Sequence, residues 1–189
     1  MKIPSSTRIR FNQVLIAVAA AAAVVSFAAS GSGSDSAPQA PPTPEFKNID
    51  VWLNSQPLKL EELRGKVVLV DFWTYRCINC LNHLPYVKEW NEKYKDRGLV
   101  VVGVHTPEFA YEKSTQNVQD AVKRLQIKHA VAQDNSYATW KSFGNQYWPA
   151  VYLIDKNGKI VYSHFGEGSY ATTEKKIQAL LEEPASSGS

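Results

Sequence analysis

The two cysteines of the chain, Cys77 and Cys80, lie two residues apart in the segment TYRCINCLNH, residues 74–83. Thiols at this spacing can form a structural disulfide, contribute to a metal site, anchor a haem, or open and close as a redox pair. A structural disulfide gains little here, because loop-closure stabilisation grows with the number of residues enclosed. A c-type haem needs histidine directly after the second cysteine, where this chain has Leu81. The spacing therefore favours a redox pair and leaves a structural disulfide or a metal site open.

A metal site would need ligands beyond the two thiols. Zinc takes four ligands, and the histidines of the chain are scattered without a second paired spacing: His83, His105, His129 and His164. The one methionine is Met1, which removes the usual thioether ligand of copper or haem. We therefore expect no bound metal and no cofactor.

The residues that flank Cys77 predict an activated sulfur. The run KVVLVDFW, residues 66–73, has the apolar, β-branched composition of a buried strand, and residues 84–94 carry a helical apolar stripe. Cys77 thus precedes the first turn of a helix, where unpaired backbone N–H groups lower a thiol pKa from about 8.5 toward about 3.5–7.5. Arg76 acts in the same direction if it lies over the site. Cys80 faces the same side one turn further in and is more shielded, so Cys77 attacks and Cys80 resolves.

The remaining patterns predict an α/β fold. The run LVVVGVHT, residues 99–106, is a second buried strand, which makes a parallel crossover unit with the first strand and its helix. Two more helices and two hairpins are predicted: helices over residues 117–127 and 172–181, and hairpins over residues 46–60 and 149–165. The second hairpin turns at Asn157-Gly158, the preferred pair for a type I′ turn.

The N-terminus is typical of an export signal. Three basic residues precede the apolar stretch 14–29, and small side chains fit cleavage after Ala28 or Ser30. An uncleaved membrane anchor through residues 11–30 is the alternative. The three basic residues account for the whole net charge of +3, so the charge gives no reason to expect nucleic acid as a partner. Export places the cysteines in an oxidising periplasmic or other extracytoplasmic compartment.

We divide the chain into four segments by composition. Residues 31–45 are Gly, Ser, Ala and Pro with almost no large apolar side chain, so they cannot bury enough surface to fold. The segments are a signal peptide or anchor over residues 1–30, a flexible linker over 31–45, a folded domain over 46–183 and a disordered tail over 184–189.

The segment VDFWTYRCINC, followed by Pro85, resembles the active-site segment of the thioredoxin superfamily. The segment YWPAVYLIDKNGKIVYSHFG resembles the second half of that fold, where a cis-proline begins the strand beside the redox pair. The leader, the extra segment between Val104 and Ala132, and GVHTPEF bring the chain closest to TlpA/ResA-like extracytoplasmic thiol-disulfide oxidoreductases, specifically the thioredoxin domain of DipZ-type proteins. The resemblance covers residues 46–182. It implies a thioredoxin-like fold, a central mixed β-sheet flanked by helices, with an N-terminal β-hairpin and a helical insertion.

The resemblance also implies roles for particular residues. Cys77 is the expected nucleophile, Cys80 the resolving thiol, and Asp71 the buried acid that relays a proton to or from Cys80. Pro149 is the expected cis-proline, whose neighbour Trp148 meets extended substrate backbone. Independently of the resemblance, an ionisable side chain inside VVLVDFW is costly unless it is paired or functional. Neutralisation by a nearby lysine is the alternative for Asp71, and an ordinary trans proline is the alternative for Pro149.

Further residues near the pair are candidates for binding a polypeptide partner. Four aromatic side chains are predicted to form an apolar rim: Trp73, Tyr75, Tyr147 and Trp148. The alternative is that they pack in the core, which fits Trp73 best and Trp148 least. Arg76 joins them as a substrate-binding candidate. His83 stands where ResA-like members often carry glutamate, and an acid or base role at neutral pH is open to it. We expect it instead to be a partly exposed helix residue, as most single histidines are.

The sequence thus predicts an enzyme that exchanges a dithiol or disulfide with protein partners and is recharged by a membrane protein. Ile78-Asn79 stand between the cysteines where many thioredoxins have Gly-Pro, and because these residues tune the redox poise, reductant and oxidant roles both stay open. A peroxiredoxin-like peroxidase is an alternative, since Thr74 lies three residues before Cys77, although Val70 occupies that family's proline position. A non-catalytic metallochaperone or adaptor, which would hold copper or zinc on the dithiol, is another.

Overall fold

The structure is a computed structural model and describes residues 44–184. The predicted leader over residues 1–30, most of the predicted linker and the tail beyond residue 184 lie outside the described residues. Within the described part, none of the helices combines the length and the apolar character needed to cross a membrane.

Six strands form one mixed sheet in the spatial order β1-β4-β3-β2-β5-β6. The strands are β1 (Val51–Leu53), β2 (Val67–Trp73), β3 (Leu99–His105), β4 (Ala130–Gln133), β5 (Ala150–Ile154) and β6 (Ile160–Phe165). The helices are α1 (Ile78–Tyr94), α2 (Thr115–Arg124), α3 (Ala138–Ser142) and α4 (Tyr170–Glu182), with short 3₁₀ helices at Leu60–Leu63, Lys95–Arg97 and Ala110–Lys113. Strand β2 pairs in parallel with β3 and antiparallel with β5. This arrangement confirms the predicted α/β fold, a mixed sheet flanked by helices with a helical insertion between β3 and β4.

Strand β2 lies at the centre of the sheet, and all seven of its residues are buried. Because successive strand side chains point to opposite faces, Val68, Val70 and Phe72 enter the core beneath α3. Val67 and Leu69 enter the opposite core, which α1 and α4 cover. Asp71 shares the odd-numbered face, so the strand carries its one carboxylate toward the side of the sheet that α1 covers.

Helix α1 starts directly after Cys77 and buries one stripe against the sheet. Its buried residues recur at three- and four-residue steps: Cys80, His83, Leu84, Val87, Trp90 and Tyr94. The predicted stripe over residues 84–94 is thus part of a longer one that begins at the redox pair.

The predicted lead-in hairpin over residues 46–60 is wrong. This segment contributes only β1, and β1 pairs antiparallel with the distant strand β4 rather than with a neighbour in sequence. The chain leaves β1 at Asn54, whose φ is 63° and whose side-chain amide donates to the carbonyl oxygens of Ile127 and His129. Asn54 therefore ties the strand to the end of the insertion and does not form a hairpin turn.

The predicted type I′ turn in the β5–β6 hairpin is also wrong, although both strands form. Of its two central residues only Gly158 has a positive φ, of 74°, whereas a type I′ turn needs both. The loop is longer, and the Asp155 carboxylate organises it by accepting hydrogen bonds from the backbone N–H groups of Asn157 and Lys159. This local Asx geometry replaces the two-residue turn.

Candidate active site

Cys77 is the N-cap residue of α1. Its sulfur accepts a hydrogen bond from the backbone N–H of Cys80 at 3.2 Å. The Cys80 thiol also donates a hydrogen bond to this sulfur, and this bond is the main cause that lowers the pKa of Cys77 from 9.0 to about 7. Hydrogen bonds from the backbone N–H groups of Cys80 and Asn79 act in the same direction. Partial burial and the charge of Glu108 oppose the change. Near neutral pH a large fraction of Cys77 is therefore the nucleophilic thiolate.

Cys80 is buried one turn into α1, and neither cysteine is in a disulfide. Burial raises the pKa of Cys80 well above its ordinary value of 9.0, and the hydrogen bond to Cys77 acts in the same direction. The backbone N–H of Thr74 works against this by facing the sulfur. The two thiols thus divide into an accessible sulfur that ionises readily and a shielded one that stays protonated.

Asp71 lies on the sheet below this pair, with 2% of its surface exposed. Burial raises its pKa from 3.8 to about 8, and negative charge on Cys77 acts in the same direction. No lysine or arginine among residues 44–184 forms an ion pair with this carboxylate, so the alternative of a lysine-neutralised acid does not describe it. Asp71 is therefore a largely protonated acid at pH 7 that ionises just above it.

The peptide bond between Trp148 and Pro149 is cis. Pro149 is buried and directly precedes Ala150, which pairs with Phe72 near the end of β2 from which the chain runs to Cys77. Trp148 packs against the cluster that contains Cys80, and its indole N–H donates to the carbonyl oxygen of Thr106 at 3.0 Å. The segment after α3 thus reaches the same end of the sheet as the two cysteines.

The redoxin family profile matches residues 38–181. The chain belongs to the redoxin family. It is 50% identical over 141 residues to protein DipZ of Mycobacterium tuberculosis, covering 73% of this chain and 20% of DipZ. It is 29% identical over 142 residues to the thiol-disulfide oxidoreductase YkuV of Bacillus subtilis, covering 75% of this chain and 95% of YkuV. Among solved structures, the thioredoxin-like superfamily protein SPOA0173 superimposes with a TM-score of 0.71 at 28% identity, over 76% of this chain and 97% of that one.

These findings confirm the predicted membership of the thioredoxin superfamily. This redoxin has a thioredoxin-like fold and is similar to proteins named thiol-disulfide oxidoreductases. The chain spans about a fifth of the length of the DipZ proteins that it matches. What a whole DipZ protein does is therefore not carried over to it.

Two of the four aromatic side chains predicted for the rim do not lie there. Trp73 is buried, and Tyr75 is buried with its ring stacked on His105 and its hydroxyl donating to the Tyr111 carbonyl oxygen. Tyr147, with 55% of its surface exposed, does lie on the surface. Tyr75 therefore forms the floor of the site, with its ring stacked on His105 at the end of β3.

Arg76 is exposed and lines a cleft beside Tyr75. The cleft has a volume of about 720 Å³, and its other lining residues are Leu81, Tyr111, Asn117, Asp120 and Arg124. The floor of the cleft is thus aromatic, and its walls carry charged and amide groups from Arg76 and α2.

His83 contradicts the expectation of a partly exposed helix residue. It lies one turn after Cys80 with 1% of its surface exposed, and its Nε2 atom is 3.7 Å from Oδ1 of Asp71. Burial lowers the pKa of His83 to about 4, and nearby His164 acts in the same direction. At pH 7 this contact therefore joins a neutral imidazole to a mostly protonated acid and is not an ion pair.

The sequence analysis did not predict a second group of buried polar side chains, which consists of Thr74, His105 and Glu112. The Thr74 hydroxyl lies 3.3 Å from Nε2 of His105, and Glu112 of the insertion is fully buried with Oε2 accepting from the backbone of Glu108 and Phe109. Burial lowers the pKa of His105 to about 4, so it is neutral near pH 7. The motif GVHTPEF contains His105, Glu108 and Phe109, and it is the feature of the sequence that could have indicated this group. This group positions the loop that runs past Cys77.

Proposed function

We propose that this redoxin is an extracytoplasmic enzyme that exchanges disulfides with protein partners through Cys77 and Cys80. The observation that carries the proposal is the asymmetry of the pair, since the Cys77 sulfur caps α1 with a pKa near 7 while Cys80 is shielded. The extracytoplasmic setting is supported by the export signal predicted over residues 1–30. If residues 11–30 remain attached, they tether the domain to a membrane, where a membrane protein that recharges the pair would meet it.

The exchange proceeds in two steps in the reducing direction. The Cys77 thiolate attacks a partner disulfide, so that a bond forms between Cys77 and one partner sulfur while the partner disulfide breaks, and the departing sulfur takes up a proton. Cys80 then gives its proton to the Asp71 carboxylate, and its sulfur attacks Cys77. The intramolecular disulfide forms, the second partner sulfur leaves and is protonated, and the partner has gained two electrons and two protons.

The second step requires Cys80 to lose a proton despite its raised pKa. Burial is the main cause of that rise, but the hydrogen bond and the charge of Cys77 add to it. Both of these effects on the pKa of Cys80 disappear once Cys77 is part of a mixed disulfide. Asp71, with a pKa of about 8, is then a base of suitable strength near neutral pH.

Trp148, Pro149 and Tyr147 are the proposed contacts for the partner polypeptide. They precede β5 at the end of the sheet where the cysteines lie, and Tyr147 is exposed. The side chain of Ile78, between the cysteines, is 66% exposed and adds an apolar contact on the α1 side. An extended polypeptide that lies between these two apolar sides would bring its disulfide to Cys77. Arg76 and Tyr75 would contact the partner from the cleft beside α1.

The proposal is tested by reduction of insulin with a chemical reductant as the electron source. Cys77→Ser should abolish the reaction, while Cys80→Ser should accumulate a mixed disulfide between Cys77 and insulin that mass spectrometry identifies. Ala179→Ser, which adds a hydroxyl group at an exposed position of α4 away from both thiols, is the control for the substitution itself. Full insulin reduction by the Cys77→Ser variant would contradict the proposal.

The geometry gives less support to a peroxidase. In the peroxiredoxin-like alternative the Thr74 hydroxyl would serve Cys77, but here it faces His105. Mixing the reduced protein with hydrogen peroxide in a stopped-flow instrument separates the two functions, because a peroxidase would oxidise Cys77 rapidly. The adaptor alternative is tested by metal analysis of protein purified without chelator. Among residues 44–184 no three acidic, histidine or cysteine side chains converge as a metal site would require.

A further inference from the structure

His83 and Asp71 face each other across the interface between α1 and β2. Both side chains are almost fully buried, and the 3.7 Å between Nε2 and Oδ1 is about 1 Å longer than a hydrogen bond. Neither His83 ring nitrogen nor Asp71 Oδ1 has a hydrogen-bond partner among residues 44–184. A small rotation of the imidazole would join the two groups, and each supplies the polar partner that the other lacks.

Packing alone does not explain a histidine here. The ring contacts Trp90 and Tyr170, with centroids 6.0 and 5.7 Å away, so an apolar side chain would fill the same space. A buried polar group without a partner costs about 1–3 kcal/mol, which leucine or phenylalanine would avoid. The imidazole is therefore unfavourable for stability unless it interacts with the acid.

The other charged or titratable groups near the pair lie on three elements. Cys80 and Cys77 stand above Asp71 at the start of α1, and the charge of Cys77 disfavours ionised Asp71. His164 of β6 disfavours protonated His83, and its Nε2 lies 3.2 Å from the Glu167 carbonyl oxygen. From α4 the Tyr170 ring covers the imidazole. Cys80 is the thiol whose proton Asp71 accepts, and none of these groups donates a hydrogen bond to Oδ1 of Asp71. A neutral imidazole protonated at Nε2 can do so.

We propose that His83 is a positioning residue that donates a hydrogen bond from Nε2 to Asp71 when the carboxylate must be ionised to accept the Cys80 proton. The inference rests on the proposed function, because it concerns the resolving step of that exchange. Asp71 Oδ1 is assigned to His83, which leaves the other oxygen for the thiol. In this role His83 does not exchange protons with the substrate; it raises the ionised fraction of Asp71 at neutral pH and fixes the direction of the carboxylate.

The role predicts a defined change in one kinetic step. A hydrogen bond to a buried carboxylate favours its ionised form by about one pKa unit or more, so replacing His83 with leucine should raise the Asp71 pKa by about that amount. At pH 7 the resolving step should then slow about tenfold, because the ionised fraction of Asp71 falls in proportion. Glutamine retains a side-chain N–H donor, so His83→Gln should recover most of the rate.

Dithiobis-nitrobenzoate separates the two steps, since each step of its reaction with the reduced protein releases one coloured nitrothiobenzoate from the reagent. The first phase reports attack by Cys77 and the second reports attack by Cys80. We expect His83→Leu to keep the first phase and to slow the second, with its pH midpoint moved upward. Val87→Ala, a change at another buried position of α1, should leave the midpoint of the second phase where it is in the wild type.

An unchanged second phase in His83→Leu, or a His83→Gln variant as slow as His83→Leu, would overturn the role of His83. Failure of the wild-type protein to show the second phase would instead contradict the proposed function. If the leucine variant does not fold, nitrogen NMR of wild-type His83 decides the question. The Nε2-protonated tautomer should dominate once Asp71 ionises, and a ring that keeps its proton on Nδ1 throughout would refute the proposal.

Discussion

Replacing Asp71 with asparagine should stabilise the folded protein, and increasingly so as the pH rises. Burial raises the pKa of Asp71 from 3.8 to about 8, so the folded state holds a proton that the unfolded state has already lost over this pH interval. The stabilisation due to the protonated acid is complete below pH 4 and is lost as pH rises through 8. At about 1.4 kcal/mol per pH unit, the wild type loses about 5 kcal/mol across that interval, and the asparagine variant avoids this loss.

Urea unfolding of the reduced proteins from pH 4 to pH 9 measures the effect. The free energies of unfolding of the two proteins should be similar near pH 4 and should diverge to about 5 kcal/mol near pH 9, with the variant more stable. Cys77 also titrates in this range, with a pKa of about 7, but it is present in both proteins and largely cancels in the difference. Asp96→Asn, which removes an exposed carboxylate, should show no such divergence. A difference that stays constant with pH would refute the assignment of Asp71 as a buried acid with a raised pKa.

Three further outcomes are expected. The alkylation rate of Cys77 by iodoacetamide should rise through a midpoint near pH 7, with Cys80 unmodified in the folded protein; a midpoint near pH 9 would contradict the activation of Cys77. Tyr147→Ala should lower kcat/KM for insulin by about fivefold but leave the reaction with dithiobis-nitrobenzoate unchanged, since only a polypeptide reaches this exposed ring; equal losses for both substrates would argue against the proposed binding surface. Gly103→Ala should destabilise the fold by about 1–3 kcal/mol in urea unfolding, because the added methyl would lie 2.9 Å from Nε1 of Trp73 and 3.2 Å from Nε2 of His129; an unchanged midpoint would show that these rings can move apart.

The elements that the sequence predicts correctly are those with a strong local pattern. Strands β2 and β3 are seven-residue runs with strong apolar, β-branched character, and α1 carries a long apolar stripe, so their composition and periodicity suffice. Strands β1 and β4 have three and four residues, and their pairing partners are far away in the chain. Such short strands form because a neighbouring strand supplies the hydrogen bonds, and no local sequence pattern indicates which strand that is.

The same distinction applies to the site. The spacing and the flanks of Cys77 and Cys80 can be interpreted from one short segment. The environment of His83 cannot, because it depends on which face of α1 turns toward Asp71 of β2. Likewise, Tyr75 is buried because His105, at the end of another strand, lies under its ring. These contacts arise from packing between elements, so only the structure shows them.

The most direct test of the exchange chemistry is to follow both thiols during a single turnover. Reduced protein is mixed with one equivalent of a peptide disulfide, quenched with an alkylating reagent and analysed by mass spectrometry. We predict that Cys77 and Cys80 become linked to each other as the peptide is reduced, with a transient species in which the peptide is attached to Cys77. If the peptide is reduced while both cysteines remain open to alkylation, or if it attaches first to Cys80, the account of this redoxin is contradicted.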